Sequence, residues 1–216
     1  MKSEKIRTKA EYTKLLVNDY FDQERHLEEQ QKQFLYSITR RYKYNRQGLF
    51  QLYEAIYNKK EAFYDEDAEL SYQCQGKEYI FENKGKKVVF EYQTVKEALG
   101  KLIDLTEDVL PIGTLVQLKK EYFAKIFDVQ KVKKVWIVIT HRYLKMDDSS
   151  YFTYGGVVYP ISNFNRQEIL KFTPALIEKV IHTGYSDEQE DAYVYLMKKK
   201  LTIEDGQKSA GVTMGG

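Results

Sequence analysis

The sequence predicts an α+β fold: an N-terminal helical segment, a small antiparallel β-meander with a helix, and a C-terminal strand-rich module closed by a helix. Three observations predict it. Residues 8–46 contain neither Gly nor Pro and place apolar residues at helical spacings. Between residues 69 and 93 the apolar periodicity changes to two, in short runs broken by turn residues. From residue 106 onward, strand-like runs opened by Pro and Gly lead to one last helical pattern. The expected divisions are 1–62, 63–105 and 106–203, followed by a small-residue tail, 204–216, expected to be disordered.

The first segment reads as one long helix or a helical hairpin. Leu16, Tyr20, Leu27, Phe34, Ile38 and Tyr42 follow one another at spacings of 4, 7, 7, 4 and 4, along a single stripe. The middle, DQERHLEEQQKQ, is nearly all polar, so the buried seam is narrow there. Either this helix lies against its own domain, or the seam docks a helical partner, since heptad-like spacing suits a coiled-coil contact. The second reading makes Leu16, Tyr20, Leu27, Phe34 and Ile38 partner-binding residues. Gly48 interrupts the pattern, and Leu49, Leu52, Tyr53, Ile56 and Tyr57 outline a shorter amphipathic helix. The acidic YDEDAE reads as a linker.

The runs ELSYQCQ, KEYIFE and KKVVFEYQ read as strands, with Asn83–Lys86 supplying a tight hairpin turn. In TVKEALGKLI, Thr94 and Glu97 have the spacing of a capping box at a helix start. Pro111 and Gly113 in VLPIGTLVQLK open a strand, KVWIVITHRYLK is a second, and SYFTYGGVVYPIS is a third that bends at Gly155 and Gly156. KVIHTG is the last. In GYSDEQED, Ser186 and Gln189 form a second capping box, with Asp187, Glu188 and Glu190 in the favoured acidic first turn and Lys198–Lys200 at the other end.

Composition narrows the functional classes. Hydrophobic residues at 43% and charged residues at 31% are enough for a packed core. The 19 Tyr and 11 Phe suit strands and an ordinary core, or half-buried interfaces. A balance of 34 basic and 32 acidic residues gives no general pull towards nucleic acid or an acidic membrane. The single Cys74 allows no internal disulfide and fits a reducing compartment. The polar start and the five-residue apolar maximum, VWIVI, point away from a signal peptide or membrane insertion, so the expected location is cytoplasmic.

Chemistry-bearing motifs are absent: there is no phosphate-binding P-loop, G-x-G-x-x-G, H-E-x-x-H or G-x-S-x-G. His26, His141 and His182 fall in different elements, and one cysteine cannot build a local zinc site. No catalytic residue, cofactor or metal is expected. The stretch TRRYKYNR interleaves Arg40, Arg41, Lys43 and Arg46 with Tyr42 and Tyr44, a pattern that suits a single nucleic acid strand. It also suits a helix C-terminus, where basic residues complement the macrodipole.

LPIGTLVQL, YGGVVYP and FTPALIEKVIHTGYSDEQE together resemble a domain family of Firmicutes proteins encoded beside type VII secretion genes, among LXG-type toxins and their small helical targeting factors. The matching positions are Leu110–Gly113, Gly156, Tyr159, Pro160, Phe172, Ile177–Ile181, Gly184 and Tyr185, within about residues 106–200. The segment KEYFAKIFDVQKVKK is longer than the family's turn, and Thr173, Pro174 and Ala175 replace its acidic one. The resemblance implies a non-catalytic cytosolic accessory role, as an adaptor or chaperone for a helical effector or targeting factor. An immunity protein neutralising a cognate LXG-type toxin is the alternative, and a single-stranded nucleic-acid binder through Arg40–Arg46 the second.

Overall fold

A computed structural model of the chain describes residues 7–120, 134–160 and 169–213. Among these, Thr13–Glu107 form one compact unit, and the remainder form a second. The fold is α+β, as the periodicities predict.

In the N-terminal unit the expected long helix is broken. Helix α1 spans Lys9–Gln23 and α2 spans Glu29–Arg41; α3, Arg46–Tyr57, follows a short 3-10 turn. The break falls in the polar middle, where Gln31 Oε1 accepts from Glu28 N (3.1 Å) and so starts α2. Leu27 therefore lies in a connection rather than on a helical stripe, yet it is buried. Gly48 sits inside α3 instead of preceding it, and its amide donates to the Asn45 side chain (3.0 Å).

Four strands make an antiparallel meander in chain order: β1 Ala62–Asp65, β2 Leu70–Gln75, β3 Glu78–Asn83 and β4 Lys86–Glu91. The first two residues of the expected linker, Tyr64 and Asp65, thus belong to a strand, pairing with Ser71 and Leu70, and just before them Phe63 stacks on Tyr72 at 6.0 Å. Lys84 and Gly85 take positive φ in the β3–β4 turn, the geometry a two-residue hairpin needs. Helix α4, Tyr92–Thr106, closes the unit and packs on α3. Its N-cap is Glu91, without a side-chain cap, so Thr94 and Glu97 lie within the helix and form no capping box. Alternate strand residues point to the helices: Tyr72, Phe81 and Phe90 are at most 1% exposed, and Phe34 meets Phe81 edge-on at 5.6 Å.

The stripe Leu16, Tyr20, Leu27, Phe34 and Ile38, read as a partner seam, is instead core. All five are buried, from 0% to 7% exposed. Burying a Leu- or Phe-sized side chain is worth about 1.5–3 kcal/mol. The same spacing that suits a partner helix suits the inner face of this unit.

The C-terminal unit is a six-stranded sheet: β5 Leu115–Leu118, β6 Trp136–Lys145, β7 Ser150–Tyr159, β8 Leu170–Phe172, β9 Ile177–His182 and β10 Lys208–Ser209. The order is β10-β7-β6-β5-β9, with β8 also paired to β7. Helix α5, Glu188–Lys198, runs into a π-helical segment, Lys199–Glu204. Val116, Ile137, Ile139, Tyr154 and Phe172 centre the core. The tail expected to be disordered carries β10, parallel to the start of β7, and a four-residue helix whose Ala210 and Val212 are buried. The longer turn at 120–134 falls almost wholly outside the described residues. No helix among them is long and apolar enough to cross a membrane.

Candidate partner-binding surface

Pro111 and Gly184, two of the residues singled out in the sequence, meet around one hydroxyl. Thr114, fully buried, donates through Oγ1 to the Pro111 carbonyl (2.7 Å) and accepts from Gly184 N (3.0 Å). This joins the turn before β5 to the turn after β9. Gly113 holds φ at +84°, the left-handed region that favours glycine, and its amide donates to Ile139 O (2.8 Å). At Gly184 a Cβ would overlap the Ile112 carbonyl oxygen, so only glycine lets the turns touch. The spacing of Pro111, Gly113 and Gly184 shows in the sequence, but the hydroxyl that joins them does not. A Thr directly after the turn glycine is the available signal.

This junction leaves its apolar neighbours in water. Ile112 is 50% exposed and Tyr185 83%. Beside them β9 ends the sheet, bonded to β5 on one side; among the described residues nothing pairs with its other edge. Val180 and Ile181 on β9 are also exposed. Register shifts against β5 at two places, with Glu178, Lys179 and His182 exposed, blunt this edge against further strand pairing. Helix α5 adds Tyr193 and Leu196, both exposed and three residues apart. Exposed apolar side chains on a strand end, in two turns and on a helix are the material of protein contacts.

Polar contacts hold α5 in place. Asp187, not Ser186, is its N-cap: its carboxylate accepts from Gln189 N and Glu190 N, each at 3.0 Å. Gln189 thus supplies a backbone amide rather than the side chain of a capping box. Arg142 on β6 makes a two-pronged ion pair with Glu190 and lies over the Tyr193 ring at 5.1 Å. Neighbouring Tyr143 has φ +55° within its strand, and burial pushes its phenol well above the ordinary value. Arg142 Nε and Tyr143 Oη are buried without a hydrogen-bond partner. The Arg142–Glu190 pair joins residues 48 apart, and no local pattern announces it.

The remaining expected positions are structural. Gly156 lies on β7, where a Cβ would overlap Ile137 of β6. Tyr159 packs beside Trp136 (6.2 Å), and the Tyr159–Pro160 peptide is cis. In the basic stretch, Arg41 pairs with Glu69 (3.6 Å) and donates to Ala68 O (2.6 Å), while Arg46 pairs with Glu107 (4.0 Å). Tyr42 is buried and donates to Asp65 (2.6 Å). Two of its cations and one ring are therefore engaged within the unit. Among the described residues no group of three His, Cys, Asp or Glu is placed to hold a metal ion.

No curated protein and no solved structure matches the chain. Residues 109–193, under half of the chain, match the model of a domain family described as Domain of unknown function (DUF4176), and they contain the Pro111–Gly113 turn, β9 and the start of α5.

Proposed function

We propose that this protein is a non-catalytic cytoplasmic accessory factor, an adaptor or chaperone, that binds a protein partner in a type VII secretion toxin pathway. The observation that carries the binding role is the set of exposed apolar side chains Ile112, Val180, Ile181 and Tyr185 inside the matched domain. The pathway rests on the resemblance of the Leu110–Gly113, Gly156–Pro160 and Ile177–Tyr185 motifs to proteins encoded beside LXG toxins. The partner side is apolar and helical, as LXG regions and their targeting factors are.

Co-expression tests this directly. The protein is purified with the N-terminal region of a neighbouring LXG toxin and its small helical targeting factor, beside an Ile112→Asp/Tyr185→Asp variant. A stable complex with the wild type, lost in the variant at an unchanged melting midpoint, is the expected result. Equal capture by both proteins overturns the surface assignment. Protection from the cytosolic toxin domain alone, without capture of the LXG region, turns the reading into that of an immunity protein.

A further inference from the structure

The edges of the two sheets are protected in different ways, and that of β1 is left open. Helix α2 lies against β4, and Gln31 Nε2 donates to Val89 O (2.8 Å). The outer side of β7 is taken by β8 and β10. Strand β9 is blunted by its register shifts and exposed charges. Strand β1 pairs with β2 in unbroken register, and among the described residues nothing pairs with its other side. Its sequence, AFYD, holds neither the lysine nor the proline that usually guards an edge.

The backbone of β1 fixes what that edge offers. The Cys74 amide donates to Glu61 O (2.7 Å), just ahead of the strand. Bonded pairs alternate along an antiparallel ladder, so Phe63–Tyr72 and Asp65–Leu70 are bonded pairs as well. The N–H and C=O groups of Ala62 and Tyr64 therefore face away from β2. Both side chains are exposed, Tyr64 at 71%. A cleft of about 490 Å³ opens beside them, lined also by Ser71, Gln73 and Ile80.

The sequence around β1 reverses its charge about Phe63. Lys59 and Lys60 precede the strand, and Glu66 and Asp67 follow it. Two antiparallel copies centred on Phe63 place Lys60 of one opposite Glu66 of the other, and Lys59 opposite Asp67, on both sides of a two-fold axis. The same register makes Ala62 and Tyr64 a bonded pair that uses every outward backbone group of both. The smallest side chain of the strand then meets the largest exposed one, and the Tyr64 ring of one copy lies at the mouth of the other's cleft. Phe63 meets its own counterpart at the non-bonded position, where aromatic cross-strand pairs are favoured. Glu61 faces Asp65, the like-charged match, but Asp65 is already held by the Tyr42 hydroxyl (2.6 Å) and the Ala68 amide (3.0 Å) of its own copy. Slipping the register by two residues puts Glu61 against Asp67, or Lys60 against Tyr64, and loses the charge match.

We infer that β1 is a self-pairing edge: a second copy of this chain docks on it antiparallel through Ala62 and Tyr64, and the two meanders join into one continuous sheet. Charge complementarity selects the occupant, because a charge order that reverses about the strand's own centre is matched by its antiparallel copy. This edge lies outside the matched domain, and its pairing stands or falls independently of the proposed function.

Sedimentation of the full chain over a range of concentrations tests the pairing. The wild type should show a reversible monomer–dimer equilibrium. Ala62→Pro removes an outward N–H and leaves the bonds to β2 in place, so it should stay monomeric, with melting as the check on its fold. Lys60→Glu and Glu66→Lys should each weaken the dimer about tenfold, since each turns both symmetric matches into like-charge opposition. Mixed in equal amounts, these two variants should dimerise again, because the altered positions then meet opposite charges in both halves of the interface. A wild type that is monomeric throughout, or a dimer that neither Ala62→Pro nor the charge reversals weaken, overturns the assignment. Charge variants that fail to recover on mixing overturn the antiparallel register. A monomeric wild type whose LXG complex is lost in Ala62→Pro would show that the edge takes a partner's strand, and self-pairing falls.

Discussion

Helices α2 and α5 have similar lengths and similar apolar spacing, but they stand differently in the molecule. In α2, Phe34, Leu35 and Ile38 are buried, and Phe34 meets the rings of Phe81 and Phe90. In α5, Tyr193 and Leu196 are exposed, and the helix is fixed by the Arg142–Glu190 pair and the Asp187 cap. Periodicity identifies which face of a helix is apolar. Whether that face is covered depends on where the rest of the chain goes. The narrow seam in the N-terminal segment meets a sheet of its own, whereas α5 packs Val194 on its sheet's core and leaves Tyr193 and Leu196 in water.

The largest effect should follow from attacking α2 and its approach. Leu27→Gln with Phe34→Gln removes two buried apolar side chains and puts two amides in their place. A loss on the order of 5 kcal/mol or more is expected, read as loss of the cooperative melt of the N-terminal unit. A folded double variant with a near wild-type midpoint would return the stripe to solvent and undo the contrast with α5.

The polar side of the comparison is tested at Glu190. Glu190→Gln keeps the shape and removes the charge opposite Arg142, whose side chain is 4% exposed. Breaking a buried pair from one side costs about 3–5 kcal/mol, and the lower end applies because Glu190 retains some access to water. Arg142→Met/Glu190→Leu, which removes both charges, should recover much of that loss. If the single variant melts like the wild type, α5 is held by apolar packing after all.

Alkaline pH should weaken the N-terminal unit, which holds five raised phenols; the C-terminal unit holds the raised phenol of Tyr143. Tyr20, Tyr42, Tyr53 and Tyr72 in the N-terminal unit have phenols raised well above the ordinary value by burial, with the Asp65 hydrogen bond adding to the shift at Tyr42. Burial, then neighbouring Cys74, pushes Tyr79 up to about 12. A raised folded-state value means that the native unit keeps its protons where the unfolded chain loses them. Its stability is therefore complete below about pH 10 and falls as pH rises towards 12. Phenolate absorbance should rise together with unfolding of this unit. Full titration at about pH 10 with the fold intact would show that these rings are open to water.

The elements were legible because their signals are local. The meander appears as period-two runs, its hairpin turn as Asn83–Lys86, and α5 as an acidic start before a basic end. The site was less legible because its parts are joined across the chain. The Thr114 hydroxyl ties Pro111 to Gly184, and Arg142 reaches Glu190, through tertiary contacts with no fixed spacing. The stripe was misplaced for a related reason: Leu27 fits a helical register in sequence, but the chain leaves the helix at residues 24–28. Strand β10 has only two residues, and small residues in a tail give no period to read.

The smallest predicted effect bears on one residue of register at the start of α5. Ser186 has the sequence credentials of an N-cap, but Asp187 makes the contacts to Gln189 N and Glu190 N. Asp187→Ala should cost about 1 kcal/mol, and Ser186→Ala should stay within about 0.5 kcal/mol of the wild type. The cap amide at Glu190 belongs to the residue that pairs with Arg142, so the two contacts are coupled through a single turn of helix. In a double-mutant cycle of Asp187→Ala with Glu190→Gln, the losses should fail to add by more than about 0.5 kcal/mol, because a first turn that has frayed no longer presents Glu190 to its arginine. Additive losses would mean that Arg142 holds Glu190 whatever the cap does. A larger loss from Ser186→Ala than from Asp187→Ala would move the cap back by one residue and restore the register read from the sequence.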